Sequence, residues 1–494
     1  MGKDLYRSGI ETPMSKKALN FISSLIEDLW IAEEDIIGSE VHNIMLFEQK
    51  ILNKEEIKQI LIALETIKEK LASNNLELDE NFEDIHPFIE KSVIDQIGIE
   101  MGGKMHTGRS RNDQISVDLR LKIRKELNIT SDKLFSLFGA IHTLSKNNIS
   151  SYMPLYTHLQ AGQLGVFSHY LNNYLSQILR LAENVEDIYK RINKNPLGSC
   201  AIGGTSININ RDRTTELLGF DGLIYNSIDA ISSRDYIYET LMVLSLGGIQ
   251  FSRIAEDLML WSTKEFGFIE LDDKFCSVSS VMPQKKNPDT VELLRSRSSL
   301  VISNLFSAAM IIKAIPTGYS RDFQELKNLL RSSFDLIHSI IEMLEEIFST
   351  IVVNTEKMRR NLEGSFILAL DLAEILVQEY NIPFRQSHKI VALIVKNSES
   401  PDDMLNKEKI EEFIFKVENR EIDISVKLIQ DLKDFDSCLE KRKSQGSPAK
   451  KEIQLNIDRL IKNKDSLFKL FKKRTENIVR SKSLRETIIK DLTS

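Results

Sequence analysis

The 494-residue chain contains only three cysteines, at positions 200, 276 and 438. They lie too far apart in the sequence to form a metal-binding pair, and so few thiols cannot build a disulfide framework. Positive charge is not in excess either, because the formal net charge is −7 and no basic segment dominates. A zinc site, an oxidising compartment and nucleic acid are therefore unexpected for this protein, and a reducing cytoplasm fits its composition.

Long hydrophobic runs and glycine-rich phosphate-binding motifs are also missing. The opening Met-Gly-Lys-Asp-Leu-Tyr-Arg-Ser has no apolar core of the kind that a secretory signal needs. The glycines within 98–106 follow neither the dinucleotide-binding nor the Walker spacing. Residues 147–179 contain no Asp, Glu, Lys or Arg, yet their histidines and amides make them too polar for a membrane span. We expect this uncharged stretch to be buried, either lining an enclosed site or packed in a helical bundle or oligomer.

Proline is absent from residues 197–282 and 317–382, which permits helices much longer than average. In the first of these stretches, apolar residues between Ile237 and Leu258 recur three and four positions apart, as in the seam of a helical bundle. Strand patterns are scarce, so we predict a mainly α chain with a central bundle of about five long helices. The predicted domains are a mostly helical amino-terminal one (1–112), the central bundle (113–364) and a small helical carboxyl-terminal one (365–494).

Residues 275–292 combine small hydroxyl side chains, lysines, an asparagine and carboxylates. The serines suit a flexible polar loop, and Pro283 and Pro288 interrupt any helix there. From Asp289 the sequence predicts a new helix with an acidic first turn, which suits the positive end of the helix dipole. We predict a mobile loop, 275–288, that binds an anionic substrate and moves a proton; the alternative is an ordinary solvated surface loop.

Three further stretches concentrate polar side chains. His106-Thr-Gly-Arg-Ser-Arg-Asn-Asp-Gln114 places two arginines just before a predicted long helix, and both arginine and a helix N-terminus favour carboxylate or phosphate. Tyr156-Thr-His-Leu-Gln160 sets a histidine beside a hydroxyl, which makes it a candidate acid or base. The stretch 318–327 can present Tyr319, Gln324 and Lys327 on one side of a helical turn. A structural role stays open for each: helix capping, a structural histidine and an ordinary helix start, respectively.

Together these stretches resemble the argininosuccinate lyases of the fumarase/aspartase superfamily. Ser279-Ser-Val-Met-Pro-Gln-Lys-Lys-Asn-Pro-Asp289 is similar to the signature loop of the superfamily in its argininosuccinate lyase form, and the other stretches match in the expected order. Val278 stands where the family has a glycine, and a β-branched residue there predicts a stiffer loop. Leu164 stands where the family has a proline. Supporting similarities lie at 35–42, 83–86, 196–199, 226–230, 232–236 and 265–268.

The resemblance implies a three-domain fumarase/aspartase-like fold. It also implies anti elimination of argininosuccinate to L-arginine and fumarate in arginine biosynthesis. By the same resemblance, Ser279 takes the Cβ proton, while Lys285 and Asn287 stabilise the charged intermediate. His158, oriented by Glu292, acts on the departing nitrogen. The implied substrate contacts are Ser39, Arg111, Asn112, Thr157, Asn287, Tyr319, Gln324 and Lys327.

The resemblance implies no metal and no organic cofactor. The expected partners are the small-molecule substrate and the chain itself, as a homotetramer with shared active sites, without nucleic acid or membrane. Two alternatives stay open. One is another fumarate-releasing lyase, of adenylosuccinate lyase or aspartase type, against which Gln284-Lys-Lys and the set around Tyr319 speak. The other is a catalytically silent relative such as the lens crystallins, against which the retained Ser279 and His158 speak.

Overall fold

The computed structural model describes Thr12 and residues 14–494, so the prediction about the opening of the chain lies outside the described residues. Over the described part the protein is mainly α, as predicted. Asn53 begins the third helix with a capping box in which its side chain and that of Glu56 satisfy each other's backbone N–H groups. The helices before the bundle are α1 (Lys16–Ile22), α2 (Ala32–Glu48), α3 (Lys54–Ala72), α4 (Ile85–Ile97) and α5 (Ile99–Gly102).

Five long helices form the central bundle, which confirms the prediction from the apolar spacing. The first of them starts at a second capping box, between Ser110 and Asp113. This cap places the predicted anion-binding arginine and asparagine in the first helical turn. The helices of this part are α6 (Arg111–Asn147), α7 (Phe167–Ile192), α8 (Arg211–Leu218), α9 (Ser227–Ser232), α10 (Asp235–Ser262), α11 (Asp289–Ile312) and α12 (Leu326–Thr350).

The carboxyl-terminal part consists of short helices and one very long one. The long helix spans 44 residues without a proline or glycine, and it returns along α3, α7 and α8. The helices of this part are α13 (Thr355–Glu363), α14 (Ala369–Tyr380), α15 (Phe384–Lys396), α16 (Pro401–Met404), α17 (Lys407–Glu418), α18 (Val426–Lys433), α19 (Phe435–Glu440) and α20 (Lys450–Thr493). Short 3-10 helices cover Glu27–Trp30, Gly103–His106, Asp273–Phe275 and Arg321–Glu325.

Three short antiparallel pairs supply the strands of the described residues: β1 with β2, β3 with β6 and β4 with β5. The uncharged stretch is therefore only partly helical, because β1 and β2 form a hairpin ahead of α7. Its tip, 157–163, is exposed rather than buried, since in a single chain nothing packs over it. The strands are β1 (Tyr152–Thr157), β2 (Gln160–Val166), β3 (Ile269–Glu270), β4 (Ser277–Val278), β5 (Lys286–Asn287) and β6 (Val352–Val353).

Buried apolar side chains form three clusters, which lie in the central bundle, around α2 to α4, and among α14 to α19. The long helix α20 contributes to all three clusters, with Ile453 in the carboxyl-terminal one, Leu460 in the bundle and Ile489 in the one around α2 to α4. The division into three domains with boundaries at 112 and 364 stays a prediction. Among the described residues, no helix is both long enough and apolar enough to cross a membrane.

Candidate active site

A cavity of about 400 Å³ opens beside the start of α6. Three stretches that are distant in the sequence meet at its wall: the Ser24–Asp28 region, the first turn of α6 and the segment 319–327. The lining includes five predicted substrate contacts, namely Arg111, Asn112, Tyr319, Gln324 and Lys327. The polar side chains that complete it are Ser24, Asp28, Asp84, His86, Arg234 and Arg321. The arrangement can hold a molecule that carries both carboxylates and cationic nitrogens.

Arg111 lies in the first turn of α6 and faces two carboxylates. Its guanidinium is 2.7 Å from Glu83 and 3.0 Å from Asp84. Burial alone would raise the pKa of Glu83, but Arg111 and Arg321 outweigh it and hold that pKa below its usual value. For the more deeply buried Asp84, burial dominates and the pKa is raised. A network of opposite charges thus lies in and beside the cavity lining.

Lys327, also in the cavity lining, forms a buried ion pair with Asp28. Its ammonium also lies 3.2 Å from the hydroxyl of Ser24, which donates to Asp28 at 2.8 Å. Ser24 and Asp28 were not predicted as site residues. Their separation of four positions was a signal, because a helical turn brings such a pair to one face.

Arg234 is a further cavity residue that the sequence analysis did not select. It stacks 4.5 Å from the ring centre of Phe323, and its Nη1 donates to the carbonyl oxygens of Ile231 and Ser233. Among the described atoms, its Nε and Nη2 are buried without a hydrogen-bond partner. Because N–H groups of a guanidinium are costly to bury without an acceptor, Nε and Nη2 of Arg234 are candidates for binding a substrate carboxylate.

His86, in the cavity lining, belongs to a buried ionic cluster with Asp35 and Asp118, which are not in the lining. The Nδ1 of His86 is 3.3 Å from Asp35 and 3.7 Å from Asp118. Burial alone would lower the pKa of His86, but the facing Asp35 carboxylate outweighs it and raises that pKa. The three ligand atoms lie within 4.8 Å of one another, a spacing that a divalent cation can also use. An imidazolium between the carboxylates accounts for the same geometry as an ion pair.

Ser39, a predicted substrate contact, lies on the buried helix α2. It is fully buried, and its hydroxyl accepts a hydrogen bond of 2.9 Å from Arg109. It is not part of the cavity lining, whereas Ser24 is. A direct contact of Ser39 with substrate stays a prediction, and in this structure its hydroxyl contacts the buried Arg109.

The signature segment 275–288 folds as a short hairpin of β4 and β5. The hydroxyl of Ser279 accepts hydrogen bonds from the N–H groups of Val281 at 3.2 Å and Met282 at 2.9 Å. Asn287 donates to the hydroxyl of Ser277 at 3.4 Å. Two N–H groups aimed at one oxygen stabilise negative charge on it, as an oxyanion hole does.

Val278 continues β4, is paired with Lys286 and is 82% exposed. An extended strand suits a β-branched residue, so the conformation of this hairpin does not require the family's glycine at that position. The mobility of 275–288 stays a prediction. Lys285 and Glu292 are exposed in the single chain, at the hairpin loop and in the first turn of α11.

Thr157 and His158 lie at the exposed tip of the β1–β2 hairpin. His158 and Leu159 form its two-residue loop, with φ values of 56° and 57°. The proposed catalytic groups are therefore distributed over three exposed or half-exposed surfaces. Within one chain, the cavity collects most of the predicted substrate contacts and none of Ser279, His158, Lys285 and Glu292.

Almost the whole chain is similar in sequence to known proteins. Residues 9–303 match the family described as Lyase, and residues 366–440 match the one described as Argininosuccinate lyase C-terminal. An argininosuccinate lyase of Nitrosopumilus maritimus (strain SCM1) is 40% identical over 93% of this chain and 94% of its own length. One from Methanocaldococcus jannaschii is 39% identical over 92% of this chain and 93% of its own length.

Solved structures share the fold. EDDS lyase in complex with formate has a TM-score of 0.86 and 27% identity, covering 97% of this chain and 94% of that chain. A class II fumarase from Schistosoma mansoni has a TM-score of 0.70, covering 85% of this chain and 93% of that chain. At 14% identity the fumarase supports the fold alone. The predicted fumarase/aspartase-like architecture is thus confirmed.

Proposed function

The chain belongs to the argininosuccinate lyase family, and we propose that it cleaves argininosuccinate to L-arginine and fumarate in arginine biosynthesis. The enzyme is a carbon–nitrogen lyase, as its relatives are named. The observation that carries the proposal is the cavity in which Arg111, Asn112, Tyr319, Gln324 and Lys327 meet. These residues come from two stretches singled out by the resemblance, and the fold brings them to one wall.

The charges of the cavity suit this substrate. Argininosuccinate carries several carboxylates together with an amino and a guanidino group, so it needs a site with both signs of charge. Arg111, Arg234 and Lys327 supply cationic donors for the carboxylates. Asp28 and Asp84 supply acceptors for the cationic nitrogens. An opposite charge already faces each of Arg111 and Lys327, so the substrate would exchange partners with these ion pairs rather than meet bare charges.

The elimination begins with removal of a weakly acidic proton beside a carboxylate. In the proposed mechanism Ser279 reacts as an alkoxide, whose negative charge the N–H groups of Val281 and Met282 stabilise. Its oxygen takes the Cβ proton and becomes a neutral hydroxyl, while the electron pair of the C–H bond passes to the substrate carboxylate. The aci-carboxylate that forms carries additional negative charge. Lys285 and Asn287 would stabilise it from the same hairpin.

The second half of the reaction breaks the bond between carbon and the guanidino nitrogen. His158, oriented by Glu292, would assist protonation of the departing nitrogen, and Thr157 would contact the substrate from the same hairpin tip. Ser279 and His158 would act on opposite faces of the Cα–Cβ bond that becomes the double bond of fumarate, as an anti elimination requires. No metal or organic cofactor takes part in the proposed mechanism.

We further propose that the active site is completed in a homotetramer in the cytoplasm. Supporting evidence is the exposure of His158, Lys285 and Glu292 in the single chain. Two neighbouring helices of the bundle, α10 and α11, also expose rows of large apolar side chains, which is typical of an oligomer interface. These are Tyr238, Met242, Leu246 and Ile249 on α10, and Leu293, Leu300, Phe306 and Met310 on α11.

The function is tested by incubating the purified protein with argininosuccinate, adenylosuccinate and aspartate in separate assays. Fumarate release is followed by its ultraviolet absorbance, and light scattering gives the oligomeric state. Release from argininosuccinate alone is the expected result. Release from another substrate would replace the proposal by a different superfamily lyase, and no release at any tested concentration would favour a silent structural relative.

A further inference from the structure

The hairpin that carries His158 has an exposed tip but a buried base. At the end of β2, Leu164 and Val166 are at most 1% exposed and belong to the buried cluster of the carboxyl-terminal part. On β1, Tyr152 packs edge-on against Phe435, with ring centres 5.4 Å apart. The base of the hairpin is therefore built into the core formed by α14 to α19.

Arg442 adds a polar link at the same place. Its guanidinium donates a 2.7 Å hydrogen bond to the carbonyl oxygen of Leu164 and lies 3.4 Å from the carboxylate of Asp371. Phe167 donates to the carbonyl oxygen of Ser151 across the ladder, and hydrogen-bonded pairs alternate in antiparallel strands. The pair of Pro154 and Leu164 is therefore a non-hydrogen-bonded one, and the Leu164 carbonyl faces away from β1. The side chains of Arg442 and Asp371 are only 12% and 10% exposed, so solvent screens their contact weakly. Arg442 thus binds a carbonyl oxygen that the pairing of β1 with β2 does not use.

The turn at the tip of the hairpin has a strained backbone conformation, which contacts elsewhere must stabilise. His158 and Leu159 both have positive φ, the pattern of a type I′ turn. For residues other than glycine this left-handed conformation costs about 1–2 kcal/mol each. A strained turn persists only where the flanking structure fixes it. Because the tip is exposed, the fixing contacts within the chain lie along the strands, both at the base and at Tyr156, whose ring centre is 5.7 Å from that of Phe266.

We propose that Arg442 is a positioning residue for the lyase reaction, which it serves by fixing the β1–β2 hairpin to the carboxyl-terminal part of the chain. This inference rests on the proposed function of His158. Arg442 contacts the base of the hairpin rather than the cavity, so its effect reaches the reaction through the strands. Loss of the link would displace His158 from the departing nitrogen while the cavity contacts remain. Turnover should therefore suffer more than substrate binding.

The kinetic test compares Arg442→Gln and Arg442→Lys with a matched control, Arg420→Gln. Arg420 also donates to a carbonyl oxygen of the carboxyl-terminal part, that of Tyr380 at 3.0 Å, but it is exposed and lies away from the hairpin. In Arg442→Gln, kcat should fall about 10- to 100-fold, as a displacement of about 1 Å produces, with KM little changed. The lysine variant should recover part of the loss. A fall in kcat no larger than that of Arg420→Gln, or an equal loss in both Arg442 variants, would overturn the proposal.

Hydrogen exchange gives a readout that needs no substrate. Amides of 152–166 should exchange faster in Arg442→Gln than in the wild type or in Arg420→Gln. Unchanged exchange would refute the link between Arg442 and the hairpin, whatever the kinetics show. If the wild type released no fumarate from argininosuccinate, the proposed function would fail, and exchange would still decide whether Arg442 holds the hairpin. Faster exchange with an unchanged kcat would refute the catalytic part of the inference alone.

Discussion

Replacing Ser279 by alanine removes one hydroxyl from the β4–β5 hairpin and tests the assignment of the base. That oxygen accepts the N–H groups of Val281 at 3.2 Å and Met282 at 2.9 Å. The side chain is half-buried and the following residues are exposed, so water can satisfy both N–H groups in the variant. The substitution should therefore lower the free energy of unfolding by only about 0.5–1 kcal/mol, the low end of what one protein hydrogen bond contributes.

The kinetic cost should be much larger. A positioned general base contributes about 10²- to 10⁴-fold in rate, which corresponds to about 3–5.5 kcal/mol of transition-state stabilisation. KM should change little, because the cavity residues Arg111, Asn112 and Lys327 are untouched. The structure thus predicts a variant that folds and binds substrate but turns it over very slowly.

Ser280→Ala is the matched control, because it removes the adjacent, exposed hydroxyl from the same loop. As a surface substitution it should stay within about two-fold of the wild type. Both variants are assayed by the ultraviolet absorbance of fumarate, with circular dichroism to compare their folding. A Ser279→Ala variant that kept near wild-type kcat would refute the base assignment. Equal losses in both variants would instead attribute the effect to a disturbed loop.

Three other predictions concern separate parts of the molecule. His158→Asn should lower kcat about 100-fold and change its pH dependence; a pH profile unchanged from the wild type would contradict an acid–base role. Lys327→Met should lower the free energy of unfolding by about 3–5 kcal/mol, because the Asp28 carboxylate is left buried without its ion-pair partner. This appears as a lower unfolding midpoint, with Lys327→Arg as the charge-preserving control, and an unchanged midpoint would contradict it. Burial raises the pKa of Glu40 from 4.5 to about 7, so its contribution to stability is lost as pH rises through that range. Glu40→Gln should flatten this part of the dependence of the unfolding midpoint on pH, and an unaltered slope would contradict the assignment.

Much of the bundle could be predicted because its signal is local. The apolar seam from Ile237 to Leu258 and the absence of proline each act within one helix, and α10 follows them. The β1–β2 hairpin could not be predicted in this way. Its loop residues, His158 and Leu159, are not the Asn-Gly or Gly-Gly pairs that mark a type I′ turn. Contacts along its strands with distant parts of the chain hold it instead.

The same distinction, between local sequence signals and contacts between distant residues, applies to the candidate site. The sequence by itself determined which chemical groups are present, and the hydroxyls, ammonium groups and amides of 275–292 led to the prediction of proton transfer on an anionic substrate. Only the tertiary structure decided the partners of these groups. Lys327 meets Asp28 across 299 residues, and Arg442 meets Leu164 across 278. Such contacts arise from how helices pack and how buried charges find compensation, and neither leaves a periodic pattern in the sequence.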